Sequence, residues 1–509
     1  MAPATTTEPV RSAHPERSPE GGSQRGRLLT IGWATAVAMW FIAYIGLMRP
    51  GLVLGELLVV LMCGVLFLGG SLGGRFAGSR GGLRAGLGVG AISAAVNLLV
   101  IGSLFARSDP AQPDRIDPAS AALWLTALIG VSLVSAGIGG VAGSRRPAEP
   151  SRLEWPGLFA GVAAAATFLL LITGGLVTSL RAGLAVPDWP NSFGHNMLLY
   201  PLSEMKGGIY YEHAHRLFGM LVGLTSIVLA ALVFLVDRRG WLRALVIGIL
   251  LLVVAQGVMG GLRVTGHLTS SQEVADVRPS TAFAIVHGVL GQVVFSLFCV
   301  VAVAMSRTWR VAADLPRPRR GAALAAVTIA TLLLHLYLGA TFRQERTWAG
   351  YVHDDAVRRV AERIAASHGD GRPTPSDIAE AISEVPAIDA TAAAPAWALH
   401  GHLTLSLVVI GLVIALAVKA IGYGAAASGA GRLTAERRVA GLGRSLLGIL
   451  SLQVLLGVAA LVVVLVWRSP PLPALGVAAT TAHQAVGALL LAHVAMVAAW
   501  LWSTRTGRT

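Results

Sequence analysis

The sequence predicts an all-α polytopic membrane protein of about twelve transmembrane helices. An N-terminal four-helix membrane domain is expected to precede two tandem, parallel four-helix bundle repeats. Three observations carry this expectation. Hydrophobic residues fill 54% of 509 positions and charged residues 13%, with a mean hydropathy of +0.68, too little charge to cover the core of a soluble protein of this length. Apolar runs of roughly 20 residues, the length that crosses bilayer hydrocarbon, recur along the chain. Polar motifs then recur at one long spacing inside the later runs.

Taken in order, residues 1–27 are polar, carry Arg11, Arg17, Arg25 and Arg27 and have no early apolar core. They read as a disordered cytoplasmic tail and not as a cleaved signal peptide. Spans follow at 29–48, 51–72, 83–106 and 119–142, making an N-terminal domain over 28–150. Spans at 157–179, 213–236, 241–263 and 280–305 make a first repeat over 151–320. Spans at 322–342, 396–419, 440–466 and 478–502 make a second over 321–509. Alternate connections concentrate arginine, as in Arg75, Arg80 and Arg84, Arg145, Arg146 and Arg152, or Arg238, Arg239 and Arg243. Every connection obeys the positive-inside rule when both termini are cytoplasmic. The net charge of +14 is thus explained by loops facing anionic lipid, with no nucleic-acid partner implied. Cys63 and Cys299, both inside apolar runs, exclude a disulfide framework and a Cys-based metal site.

One long connection breaks the pattern. In the outer insert 343–395, residues 352–369 have helical charge pairing but too few apolar residues to span, and 374–385 opens on cap-like Thr and Ser. The insert reads as a small helical cap over the outer face; a solvated loop is the competing reading.

The repeat is set by paired motifs. EHAHRLFG and LHGHLTLS place His215 and His402 187 residues apart. FAIVHGVLGQ and TTAHQAVGAL place His287 and His483 196 apart. Gln256 and Gln453 are 197 apart. Such agreement indicates two copies of one four-helix unit. Each copy carries one histidine on its second helix and one on its fourth, near the same end. Paired histidines on facing helices hold haem iron from both sides. The residue one turn inward of each, at i+4, is small: Gly219, Gly291, Ser406 and Gly487, which leaves room for a macrocycle. Within the His-x-His pairs, His215 is preferred to His213, whose i+4 residue is Leu217, and by the repeat His402 is preferred to His400. His335 also has a glycine at i+4, Gly339, but its counterpart near Thr173 is not a histidine. Zinc competes for the HAH spacing and would need a third ligand. Glu212 shares a helical face with His215. It is expected either to orient a ligand, relay a proton or stabilise a cation, or simply to pair with Arg216 or Lys206. Arg216 is a candidate partner for a haem propionate.

These residues carry a family resemblance. GGLVTSLRAGLAVPDWPNSFG, then EHAHR, then QGVMGGLRVT and a histidine in the next span, resemble the haem A synthase family, also called the cytochrome oxidase assembly protein 15 or CtaA family. The resemblance covers about 155–503. It implies oxidation of the C8 methyl of haem O to the formyl of haem A, for insertion into cytochrome c oxidase. It also implies a substrate haem at His215 and His287, a haem b at His402 and His483, and a functional role for Glu212. The implied partners are a haem O synthase, which is a farnesyltransferase, as substrate donor, and an electron donor of unspecified kind. The implied location is a bacterial cell membrane, or the mitochondrial inner membrane in a eukaryote.

The chain departs from the family pattern in its outer loop, where Ala185 and Ser192 stand in a segment without the cysteine pair of some members. The second copy has Leu403 where the first has Arg216, which fits a non-catalytic half. Insert 343–395 and the first four spans add no motif. Two further readings remain beside the haem-modifying enzyme: a haem b electron carrier, and a transporter. The asymmetric Glu212 argues against the first alternative. The lack of interrupted helices and buried midplane charges argues against the second.

Overall fold

The computed structural model describes residues 19–48, 55–78, 80–106, 114, 116–148, 154–265, 278–312, 321–368, 373–425, 430–468 and 471–502. Among them the regular structure is helical, joined by loops such as 180–206, and there is no strand beyond the isolated bridges Ala106–Ile116 and Ser192–His195. The helices are α1 (Pro19–Leu47), α2 (Gly55–Ala77), α3 (Gly82–Phe105), α4 (Pro118–Ser144), α5 (Trp155–Ser179), α6 (Gly207–Val236), α7 (Gly240–Thr265) and α8 (Arg278–Ala304). There follow α9 (Arg307–Ala312), α10 (Ala322–His368), α11 (Pro375–Glu384), α12 (Ala390–Ala393), α13 (Ala396–Ala425), α14 (Ala430–Val466) and α15 (Ala474–Trp502). Twelve helices among the described residues are long and apolar enough to cross a membrane: the protein is a multi-pass membrane protein.

The ends of α4 and α11 show why the polar positions fall where they do. Asp117 caps α4 through the Ser120 amide, with Pro118 at the first helical position. Thr374 and Asp377 form a reciprocal capping box at α11. Two boundaries differ from expectation. Residues 19–27 are helical, as the start of α1, and residues 1–18 lie outside the described part. The ninth span does not stop at 342: α10 is one helix of 47 residues that carries straight on through 352–368. The charge pairs expected there, Asp355 with Arg358 (2.6 Å) and Arg359 (2.8 Å), lie on that single helix, which also packs on α11 through Ala361, Ile364 and Ala381.

α2, α3 and α4 pack so closely that Gly70 and Gly74 of α2 lie directly on the backbone of Ala136 and Gly140 of α4, where any Cβ would collide. α1 joins this group to α6: the Trp33 indole donates to Thr225 Oγ1 (2.9 Å), and the Tyr210 hydroxyl donates to the Tyr44 carbonyl (2.6 Å).

The remaining spans form two quartets connected in the same cyclic order, α5–α6–α7–α8 and α10–α13–α14–α15. α8 and α15 pack on each other across the interface, and each also packs on the first helix of the other quartet. This order is consistent with the expected repeat. It brings the two histidine-bearing fourth helices side by side.

Candidate functional site

Both quartets gather their histidines at one end, the end closed by the 180–206 loop in the first quartet and by α11 and α12 in the second. Lys206 is extended and Gly207 has φ +54, the left-handed region a glycine enters without strain. α6 therefore starts at 207, and EHAHR occupies its second turn.

The polar residues of that turn divide between two tasks. His213 is fully buried, with Nδ1 3.0 Å from Ser192 Oγ and its ring 4.9 Å from Tyr200; it faces the loop. Glu212 is 4% exposed and also faces the loop, accepting hydrogen bonds from the Val186 amide (2.8 Å) and Arg216 (2.9 Å). Arg216 donates in turn to the carbonyls of Val186 (2.8 Å), Asp188 (2.7 Å) and Asn191 (3.0 Å). Both carboxylate oxygens of Glu212 and both terminal nitrogens of Arg216 are thus engaged in clamping the PDWP loop onto α6. Asp188 tightens the loop by accepting from the amides of Phe193 (2.6 Å) and Gly194 (2.8 Å). The Trp189 ring lies flat against Gly261 of α7.

His215 points to the bundle interior. Its ring centre is 6.4 Å from that of His287 on α8, with the planes at 76°. The second quartet repeats this: His402 and His483 are 6.3 Å apart at 83°. His400 is exposed. His493 bonds its own helix at the Leu489 carbonyl (2.9 Å). Gln256 donates from Nε2 to the His287 carbonyl (3.2 Å), joining α7 to α8.

The ring nitrogens have defined roles. The Thr173 hydroxyl donates to the Leu170 carbonyl (2.9 Å), so it meets His215 Nδ1 (2.9 Å) as an acceptor. His402 Nδ1 donates to the His335 carbonyl (3.0 Å). In both, the proton sits on Nδ1 and Nε2 presents a bare lone pair, the state in which histidine binds a metal. Among the described residues, Nδ1 of His287 and of His483 are buried without a hydrogen bond of good geometry, and each imidazole lies near the backbone of the adjacent helix, at Gln256 and Gln453.

Sequence reasoning passed over Thr173 and His335 because they do not match each other. What the two copies share is an acceptor for Nδ1, supplied once by a side chain and once by a backbone carbonyl. The His335 ring also stacks on His402, with centroids 3.8 Å apart and planes at 11°.

The small residues expected at i+4 do not share one environment. A Cβ on Gly219 would meet nothing within 4 Å, so space is open beside His215. One on Gly291 would meet Leu171 at 3.2 Å, and one on Gly487 would meet Gln453 at 3.2 Å. Ser406 bonds the Leu403 carbonyl of its own helix (2.5 Å). The glycines that admit the imidazoles stand instead on the neighbouring helices. A Cβ on Gly174 would lie 2.9 Å from His215, on Gly339 2.7 Å from His402, on Gly457 3.0 Å from His483 and on Gly260 3.7 Å from His287.

This geometry tests which metal group fits. An imidazole nitrogen sits about 2 Å from a bound metal and roughly 1.2 Å from its own ring centre, so two rings on opposite sides of one metal stand about 6.4 Å apart. Two ligands of a tetrahedral ion would stand roughly 5.2 Å apart. The observed 6.4 Å and 6.3 Å fit the opposed arrangement. Among the described residues no cluster of three or more His, Cys, Asp or Glu offers a closed ion site.

No curated protein and no solved structure gives a significant match to this chain. The cytochrome oxidase assembly protein family (COX15-CtaA) matches residues 157–496. The matched stretch takes in both quartets and all four facing histidines, and none of α1–α4. The chain therefore belongs to the cytochrome oxidase assembly protein family.

Proposed function

We propose that the protein is a haem A synthase-like oxidoreductase, which oxidises the C8 methyl of haem O to the formyl of haem A during cytochrome oxidase assembly. The observation that carries this reading is the pair of histidine couples at the same spacing and near-perpendicular angle, one per quartet. His215 and His287 would hold the substrate haem; His402 and His483 would hold a haem b. Methyl to formyl is a four-electron oxidation that also inserts one oxygen atom, so it needs an external oxidant and an oxygen source such as dioxygen or water; a bound haem b would pass the electrons one at a time. A haem O synthase supplies the substrate and a separate carrier exchanges the electrons.

The chain's own residues bind and position. Thr173 and the His335 carbonyl fix the Nδ1–H tautomer that frees Nε2 for iron. Gly174 and Gly339 set the depth of His215 and His402. The loop held by Glu212 and Arg216 roofs the first site and keeps bulk water from it. α8 and α15, packed together, give a short path between the two sites.

One observation favours the electron-carrier reading. Glu212 already serves the loop, so its presence in one copy alone does not require chemistry. Extraction and mass analysis of haems from purified protein, expressed with and without a haem O source, separates the two. Haem A appearing only with haem O supports the enzyme; haem b alone under both conditions supports the carrier.

A further inference from the structure

Buried arginine requires an anion or a dense set of acceptors, because a lone cation at membrane depth is costly. At the histidine end three arginines have a carboxylate: Arg216 has Glu212 (2.9 Å), Arg181 has Asp354 (3.2 Å) and Arg468 has Asp389 (2.8 Å). Arg346 has none but is tied to Thr391 Oγ1 (3.2 Å) and the Trp467 carbonyl (2.6 Å). Two others stand out. Arg263 on α7 has no hydrogen-bond or ion-pair partner among the described residues, and its Nε is buried and unmatched. Arg343 on α10 donates only to neutral groups: Gln484, the Gly175 carbonyl (2.7 Å) and Ser179 Oγ (2.7 Å).

Their placement is alike. Arg263 lies three residues beyond Gly260, the glycine against His287. Arg343 lies four residues beyond Gly339, the glycine against His402. In each case the residue is one turn further toward the histidine end, on the same side of its helix. Among the described residues each quartet thus has one cation with no carboxylate in contact, a turn beyond its histidine couple toward the loop end; Arg263 feels the charge of Glu212 only from a distance. The buried carboxylate of this end, Glu212, is already committed to Val186 and Arg216.

We infer that Arg263 and Arg343 bind the carboxylates of the tetrapyrrole, one propionate-binding cation for each site. The inference rests on the haem reading above. The missing negative charge arrives with the ligand: a propionate edge turned toward the loop end meets the guanidinium, while the apolar edge points down the bundle. Arg343 keeps its bonds to α5 and α15 and so stays aimed while it waits. The two cations also fix which edge of the macrocycle faces outward.

The test compares haem b with its dimethyl ester, which keeps the ring and iron and lacks both charges. Full-length apo-protein carrying His215→Ala isolates the second site; His402→Ala isolates the first. Each parent should prefer the free acid over the ester by about tenfold to a hundredfold, the range of one charge-assisted hydrogen bond. Arg343→Gln in the second-site background and Arg263→Gln in the first should abolish that preference and leave ester binding unchanged. Arg343→Lys should restore most of it. Failure of either parent to bind either form would overturn the haem reading itself. Normal binding with the preference intact in the glutamine variants would overturn the arginine assignment alone. So would equal loss of haem and ester that lysine does not rescue, since that marks a purely structural role.

Discussion

Glu212→Gln separates a carboxylate that holds the loop from one that serves chemistry. The substitution keeps shape but leaves one acceptor oxygen where two are used, by the Val186 amide at 2.8 Å and Arg216 at 2.9 Å. The glutamine amide must then face a donor. The side chains of Arg216 and Glu212 are only 9% and 5% exposed, so solvent does little to screen the loss. Removing one partner of a buried pair costs about 3–5 kcal/mol. Arg216 retains its three carbonyl acceptors, which lowers the expectation to about 2 kcal/mol. That makes local opening of the loop about 30-fold more frequent. Hydrogen exchange of peptides covering 184–196, in wild type and variant, reads this directly. Haem at His402 and His483 should be retained, since that site lies in the other quartet. Unchanged protection of the Val186 amide would refute the clamp. If haem A formation still collapsed in that case, a direct role of Glu212 in the chemistry would follow.

Three further expectations come from the same geometry. Thr173→Val removes the acceptor for His215 Nδ1 and should weaken haem at the first site by about 10- to 100-fold, the usual cost of losing a ligand's outer hydrogen bond. His335→Phe should be far milder at the second site, because its backbone carbonyl does the orienting; absorbance titration of apo-protein compares the two. Gly339→Val should displace His402 and abolish the second site's low-spin spectrum. Reporter fusions after residues 150 and 310 should read as cytoplasmic, and those near 190 and 370 as external; an external signal at 150 would invert the orientation of every later span.

How much was legible depends on what each feature needs. A membrane span is a local property, since each segment must satisfy its own backbone hydrogen bonds. The spans read at 157–179 and 241–263 accordingly fall on α5 and α7 within two residues at either end. The choice of His215 over His213 rested on helical phase together with Gly219 against Leu217 at i+4, and the structure places the two rings on different sides of α6. Where α10 ends was not local in this sense. Its polar half has the composition of a solvated helix, and only the structure shows that this half continues the span from 342 while packing on α11 through Ala361, Ile364 and Ala381.

The sequence by itself determined the spans, the two couples of histidines and their common end, because hydropathy and 3.6-residue phase are written in consecutive residues. Only the tertiary structure decided what surrounds each ring. The glycines that admit the imidazoles stand on adjacent helices, and the Nδ1 acceptors are a threonine in one copy and a main-chain carbonyl in the other. Glu212 and Arg216 are committed to a loop that ends at residue 206, more than a turn before either of them. Such contacts depend on which helix lies beside which, and a backbone carbonyl leaves no mark in the sequence when it takes over the work of a side chain.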